Sequence, residues 1–192
     1  MVGIARAAHP DIVVTEGDAE NLPYPDGAFE AVVSNFGLHR VPQPDVALAQ
    51  ARHVLVAGGR VAFTVWAAPS ENIAWGLVFD AVARHGDRAA ARTPPPGGSF
   101  NQIDDCLGAL DRAGFVHTSA RLVEAEWPVA SAQALVTALS AGTVRMAALI
   151  AAQPPSALPS IVGDIARHAE PYRHGNRLSI PIAAVLARGT RT

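Results

Sequence analysis

The chain has 192 residues, 49% of them apolar and 17% charged, with a formal net charge of −2. That suits one α/β domain with a sizeable core; it is too short for two ordinary domains and too apolar for a disordered chain. Every basic side chain except histidine is arginine, which excludes a Walker-type phosphate loop and lysine Schiff-base chemistry.

The arginines stand singly, so no basic run points to nucleic acid. No apolar stretch reaches the roughly 18 residues of a membrane span, and Met1 to Pro10 lacks the apolar region of a signal peptide. The single cysteine, Cys106, forms neither an internal disulfide nor a multi-thiolate metal site. A cytoplasmic, reducing compartment is expected. Glycines never occur as G-x-G, and neither H-E-x-x-H nor G-x-S-x-G is present, so dinucleotide, zincin and α/β-hydrolase readings lack their motifs.

In chain order, Val2 to Ala8 reads as a short helix and the β-branched run Asp11 to Thr15 as a strand. The loop Glu16 to Ala28 is turn-rich, with Pro23, Pro25 and Gly27. Phe29 to Ser34 is an apolar run without alternation, as in a parallel strand covered on both faces. Pro44 and Asp45 open a helix whose apolar face is Ala47, Leu48, Ala51, Val54 and Leu55. Gly58-Gly59 turn the chain into a second buried strand, Arg60 to Trp66. A helix follows on Ala74, Leu77, Val78, Ala81 and Val82 and stops near Gly86; a Pro/Gly-rich loop spans Thr93 to Ser99. Asn101 is the expected N-cap of a helix with buried stripe Ile103, Cys106, Leu107 and Leu110, ended by Gly114. Arg121 to Trp127 alternates as a strand with one wetter face carrying Glu124 and Glu126. Residues 128–176 read as helical, broken by Pro154-Pro155 and Pro159. Leu178 to Ala187 is a last strand in which Pro181 demands a bulge or a missing ladder bond. Alternating strands and helices predict a mostly parallel sheet, with the last two strands antiparallel.

The block Gly17-Asp18-Ala19-Glu20-Asn21-Leu22-Pro23 through Phe29 to Asn35 resembles the middle of class I S-adenosylmethionine-dependent methyltransferases. Within them it resembles the type 11 group, which includes the ubiquinone/menaquinone-biosynthesis enzymes. Phe36-Gly37-Leu38-His39 is similar to the segment after that family's fourth strand. Val54-Leu55-Val56-Ala57-Gly58-Gly59-Arg60 is similar to its turn before the fifth, with Ala57 where proline is usual. Leu110 to Phe115 is similar to the end of the helix before its sixth strand.

The resemblance implies a Rossmann-like α/β sheet of order 3-2-1-4-5-7-6 and methyl transfer from S-adenosylmethionine to a small organic or lipid-like acceptor. It implies that Asp18 accepts a hydrogen bond from the adenine amino group, that the Ala19 N–H meets the adenine ring, and that Leu22 packs beside it. Ser34, Asn35 and Phe36 would border the methionine part, at the carboxyl ends of the strands where such sheets bind ligands. The family's glycine-rich turn after strand one and the acid after strand two have no counterpart here. The expected domain is therefore single and N-terminally truncated, lacking the first two strands, with 128–176 as a helical, lid-like insertion. Strand four would then have a bare edge. That edge would re-pair with 11–15 or be covered by a second copy or another partner; otherwise the chain is a fragment, non-catalytic without help.

His39 is a candidate base, since histidine titrates near neutrality; a loop histidine held by a structural hydrogen bond is the plainer alternative. Trp66, Trp75, Phe79, Met146 and Tyr172 are candidates for an acceptor pocket, with ordinary core packing the alternative for each. Cys106 reads as a small hydrophobe, and Glu124 and Glu126 as a solvated strand face. No metal ligands are expected.

Overall fold

The computed structural model describes residues 2–87, 89 and 100–192; the expected loop Thr93 to Ser99 lies outside them. The helix α1 (Val2–Ala8) buries no residue. The run 11–15 forms no strand, and Val13 is 92% exposed. A β-branched run becomes a strand only against a ladder partner, and none lies beside it among the described residues. It is held instead by Arg6, whose Nε and Nη2 both donate to the Val14 carbonyl at 3.0 and 2.9 Å.

The elements that follow are β1 (Phe29–Asn35), α2 (Pro44–Val54), β2 (Leu55–Trp66), α3 (Ile73–His85), α4 (Ile103–Arg112) and β3 (Val116–Val129). After these come α5 (Ala132–Gly142), α6 (Val144–Ala151), α7 (Leu158–His168), the two-residue β4 (Arg173–His174) and β5 (Arg177–Thr190). The sheet order is β1-β2-β5-β3, with β4 on β5. β1 and β2 are parallel and β5 is antiparallel to β2 and β3. This is the expected 4-5-7-6 portion of the sheet.

The Gly58-Gly59 turn lies inside β2. The register jumps from Phe29↔Leu55 to Ala31↔Arg60, so residues 56–59 loop out of the ladder. Gly58 sits at φ +79, and a Cβ on Gly59 would lie 2.8 Å from the Val56 carbonyl oxygen and 3.2 Å from that of Glu30. Both obstacles are backbone and cannot rotate away. Gly59→Ala is expected to cost about 1–3 kcal/mol in urea unfolding, as overpacking typically does.

Pro181 needs no bulge. Its neighbour two residues on, Ala183, turns its N–H and C=O to Asn72 and Ala67 on the β2 side, and Pro181 faces the same way. Pairing with β2 has already ended at Trp66↔Ala184, so the missing donor faces no strand.

One sheet face packs under α2 and α4, with Val61, Phe63, Val65, Val185 and Ala187 against Leu48, Ala51, Cys106 and Leu110. In α4, Gln102 rather than Asn101 is the N-cap, its N–H donating to Asp105 at 3.2 Å. The buried stripe is Cys106, Ala109 and Leu110 rather than the expected Ile103, Cys106, Leu107 and Leu110; Ile103 is 36% exposed and Leu107 half-buried. Burial pushes the Cys106 thiol up to about 12, in keeping with an inert hydrophobe. A second core joins α3, α5, α6 and α7 to Val129, Leu178 and Ile180 at the strand ends. The outer edge of β1 pairs with no described strand, and the Val33 side chain is 75% exposed.

Candidate functional site

The loop before β1 folds on Asp18. Its Oδ1 accepts the Glu20 N–H at 2.9 Å and its carbonyl accepts the Asn21 N–H at 3.0 Å, a local turn suited to aspartate. Two ties fix this turn to α2. Glu20 Oε1 accepts the N–H of Gln43, the residue capping α2, at 2.6 Å, and the Leu22 N–H donates to Gln50 Oε1 at 3.2 Å. Asp18 and Ala19 stay exposed. Asp18 Oδ2 and the Ala19 N–H have no hydrogen-bond partner among the described residues, so an acceptor and a donor stand free side by side.

At the carboxyl end of β1, Thr64 organises the turn. Thr64 Oγ1 donates to Asn35 Oδ1 at 2.7 Å, and the Phe36 N–H reaches the Thr64 carbonyl and Oγ1, both at 3.1 Å. Phe36 is held at φ +51, a left-handed conformation costing a bulky residue about 1–3 kcal/mol. Gly37 follows because a Cβ there would lie 2.9 Å from Ser34 Oγ. The Phe36 ring stacks on Trp66 at 4.2 Å, and Trp66 meets Trp75 at 4.9 Å.

Between the loop, β1 and α2 lies a cavity of ≈ 290 Å³, mostly apolar, whose lining includes Ala19, Leu22, Val33, Ser34, Gly37, Leu48 and Phe63. Its size is at the low end of the roughly 300–1,000 Å³ of ligand pockets. The structure thus brings Ala19, Leu22 and Ser34 to one cavity, with Asp18 adjoining Ala19. Asn35, Phe36 and His39 do not line it.

His39 sits half-buried on a single 3-10 turn, Leu38–Arg40, and its Nδ1 is buried without a hydrogen-bond partner among the described residues. Among the described residues that atom makes no structural hydrogen bond of the kind expected of a loop histidine. Burial first, and the charge of Arg40 second, pull the His39 pKa below its ordinary value of 6.5, so it is neutral at pH 7. The folded state then binds fewer protons than the unfolded state below pH 6.5, and stability rises with pH there. Replacing His39 with Asn should flatten the fall in stability on acidification through that range, read as the wild-type minus variant difference in urea midpoints.

A second groove, ≈ 420 Å³, is lined by Ser70, Glu71, Ile73, Glu124, Glu126, Tyr172 and Pro181, among others. Glu124 and Glu126 are exposed, as expected, and Glu126 accepts from the Ser179 hydroxyl. Of the pocket candidates, Met146 is core at 1% exposure and Phe79 lies under Arg145 at 5.5 Å. Among the described residues no group of three or more His, Cys, Asp or Glu is placed to hold a metal ion. No described helix is long and apolar enough to cross a membrane.

Residues 1–63 match the family model described as a methyltransferase domain. Over 60 residues the chain is 47% identical to the ubiquinone/menaquinone biosynthesis C-methyltransferase UbiE of Caulobacter vibrioides, covering 31% of this chain and 24% of that protein. Over 124 residues it is 33% identical to the UbiE protein of Methylobacterium nodulans, covering 56% of this chain and 46% of that protein. The matches therefore span between a quarter and a half of these relatives. A solved putative methyltransferase from Bacillus halodurans superposes on all of this chain and 79% of its own, with TM-score 0.56 and 20% identity, a likeness of fold. The match to the methyltransferase-domain model is confined to the N-terminal third of the chain, and the chain as a whole is similar in fold to the Bacillus halodurans structure.

Proposed function

We propose that the chain serves S-adenosylmethionine-dependent methyl transfer to a small organic acceptor. The observation that carries this is the free acceptor and donor pair, Asp18 Oδ2 and the Ala19 N–H, beside a cavity between the loop, β1 and α2 that Ala19, Leu22 and Ser34 line. That pair fits the amino group and ring nitrogen edge of adenine, and Leu22 offers an apolar wall to its face. Ser34, Asn35 and Phe36 border the methionine end; Asn35 contributes its Nδ2, since its Oδ1 already accepts from Thr64. S-adenosylmethionine supplies an electrophilic methyl group on a sulfonium. The residues here align acceptor and methyl and keep water out, the main contribution proximity makes. Neutral His39 takes a proton from acceptors that must lose one. The helices within 128–176 act as a lid and acceptor selector, and their own core with α3 supports that role. A cytoplasmic setting suits this chemistry.

The experiment is a thermal-shift and equilibrium-dialysis titration with S-adenosylhomocysteine. Asp18→Ala is expected to weaken binding about tenfold, the worth of one good hydrogen bond, with an unchanged far-ultraviolet spectrum. Equal affinities would remove Asp18 from the site. A second reading rests on the open β1 edge and exposed Val33: the module binds cofactor only once a second copy or another chain covers that edge.

A further inference from the structure

Arginines that stand singly in the sequence are brought into one row by the sheet register. Val61, Phe63, Val185 and Ala187 turn onto the core under α2 and α4, so Arg60 on β2 and Arg188 on β5 turn to the opposite face. Leu122 packs against that same core, so Arg121 on β3 faces away with them. Arg188 lies opposite Ala62 on one side and Ser119 on the other, while Arg60 lies opposite Thr190 and Arg121 opposite Leu186. Arg60 and Arg121 are thus both diagonal neighbours of Arg188, about 7–8 Å from it and within reach of long side chains. We propose that this row of three arginines binds a soluble ligand carrying two or more phosphate groups.

The row works against the fold that carries it. All three arginines are exposed, and like charges at neighbouring cross-strand positions repel. Nothing on the face compensates: the strand carboxylates Glu30, Glu124 and Glu126 alternate to the other side. Elsewhere the fold pairs its arginines, Arg84 and Arg167 with Asp164, Arg112 with Asp45 and Arg191 with Asp26. The side chains of Arg60 and Arg121 make no hydrogen bond or ion pair among the described residues. Arg188 is oriented as well as unpaired. Its Nε donates to Ser119 Oγ at 2.9 Å, which fixes the guanidinium and leaves both Nη groups without a partner among the described residues.

The chemistry of the row chooses the ligand. A guanidinium offers parallel N–H donors that match the oxygens of a phosphate. A single phosphate engages one or two of the three groups, whereas linked phosphates engage them all. The surroundings choose a soluble source over a lipid headgroup. Further along β5 and β3, Leu178, Ile180 and Trp127 turn to the same face and share a core with α3, α5, α6 and α7. Those helices stand on the same side of the sheet as the row, which admits a small polyanion and holds a flat bilayer off. The cavity assigned to the cofactor lies between β1 and α2 on the other face, so the two sites stand or fall separately.

The test is calorimetric titration of the full chain with sodium tripolyphosphate and, separately, with inorganic phosphate. Tripolyphosphate should bind saturably, about tenfold or more tightly than phosphate, and more weakly as salt rises. Arg188→Gln, and Arg60→Gln combined with Arg121→Gln, should each lose about tenfold in tripolyphosphate affinity while circular dichroism keeps its native form; should one fail to fold, the other decides. Arg177→Gln removes the same charge at the far end of β5 and should bind as the wild type. In sedimentation with vesicles of phosphatidylcholine and phosphatidylglycerol the chain should stay in the supernatant. Pelleting with those vesicles would overturn the assignment to a soluble ligand. Absence of saturable tripolyphosphate binding, equal affinity for the two anions, row variants that bind as the wild type, or an equal loss in Arg177→Gln would overturn the site itself.

Discussion

Asp164→Ala is expected to destabilise the fold by about 3 kcal/mol, near the lower end of the 3–5 kcal/mol range for breaking a buried ion pair. Asp164 is 2% exposed. Arg84 Nη1 donates to its Oδ2 and Arg167 Nη2 to its Oδ1, both at 2.6 Å. His85 and His168 approach at 3.3 and 3.5 Å. Burial alone would raise the carboxyl pKa; the hydrogen bonds from Arg167, Arg84 and His85, with the charge of His168, overcome that and hold it well below the usual carboxylate range. A depressed carboxylate contributes stability above its unfolded pKa and loses it as pH falls through the folded one. The contribution is therefore complete at pH 7 and fades only in acid. Truncation strands two guanidinium groups, but both reach solvent, with side chains 46% and 69% exposed, which keeps the loss at the lower end. Arg167→Ala alone should cost under about 1 kcal/mol, as exposed partners do. Urea unfolding of the three proteins at pH 7 checks the order. A loss for Asp164→Ala no larger than for Arg167→Ala would show that the carboxylate does not join α3 to α7.

Phe63→Ala should cost about 3–5 kcal/mol, the range for deleting a fully buried aromatic. The ring lies in the middle of β2, stacks on Phe100 at 5.9 Å and is 1% exposed. It also lines the ≈ 290 Å³ cavity, so its removal enlarges a space that the sheet and α2 cannot close. Phe63→Leu, which keeps most of the volume, should cost clearly less. Thermal unfolding of both variants tests this; similar midpoints for the two would mean that α2 collapses onto the sheet.

Much of this fold is legible in the sequence because its signals are local and physical. Apolar runs at 29–34 and 60–66 flank a helix with a proline start, and that pattern dictates a parallel β-α-β unit. Alternation around Glu124 and Glu126 marks a strand with a wet face. The run 11–15 misleads because β-branched residues report a preference, and only a neighbouring strand realises it. The α4 cap slips by one residue because Asn101 and Gln102 are both polar and only the backbone geometry separates them.

The site is legible in part. Asn35, Phe36 and His39 do not line the cavity, whereas Ala19, Leu22 and Ser34 line it, with Asp18 next to Ala19 in the chain. The groups that hold them do not announce themselves: Glu20, Gln43 and Gln50 reach across 23 and 28 residues, and no periodicity encodes such contacts. Asn72 and Asp164 are the same kind of residue. Each reads as an ordinary polar position until the fold buries it against backbone or arginine.

The central claim is that the turn at Asp18 and the end of β1 hold S-adenosylmethionine. Calorimetric titration of the 192-residue chain with that ligand tests it most directly. Saturable binding in the micromolar range, weakened about tenfold by Asp18→Ala, is the predicted result. An absence of binding at millimolar ligand by a chain whose circular dichroism is native would contradict it.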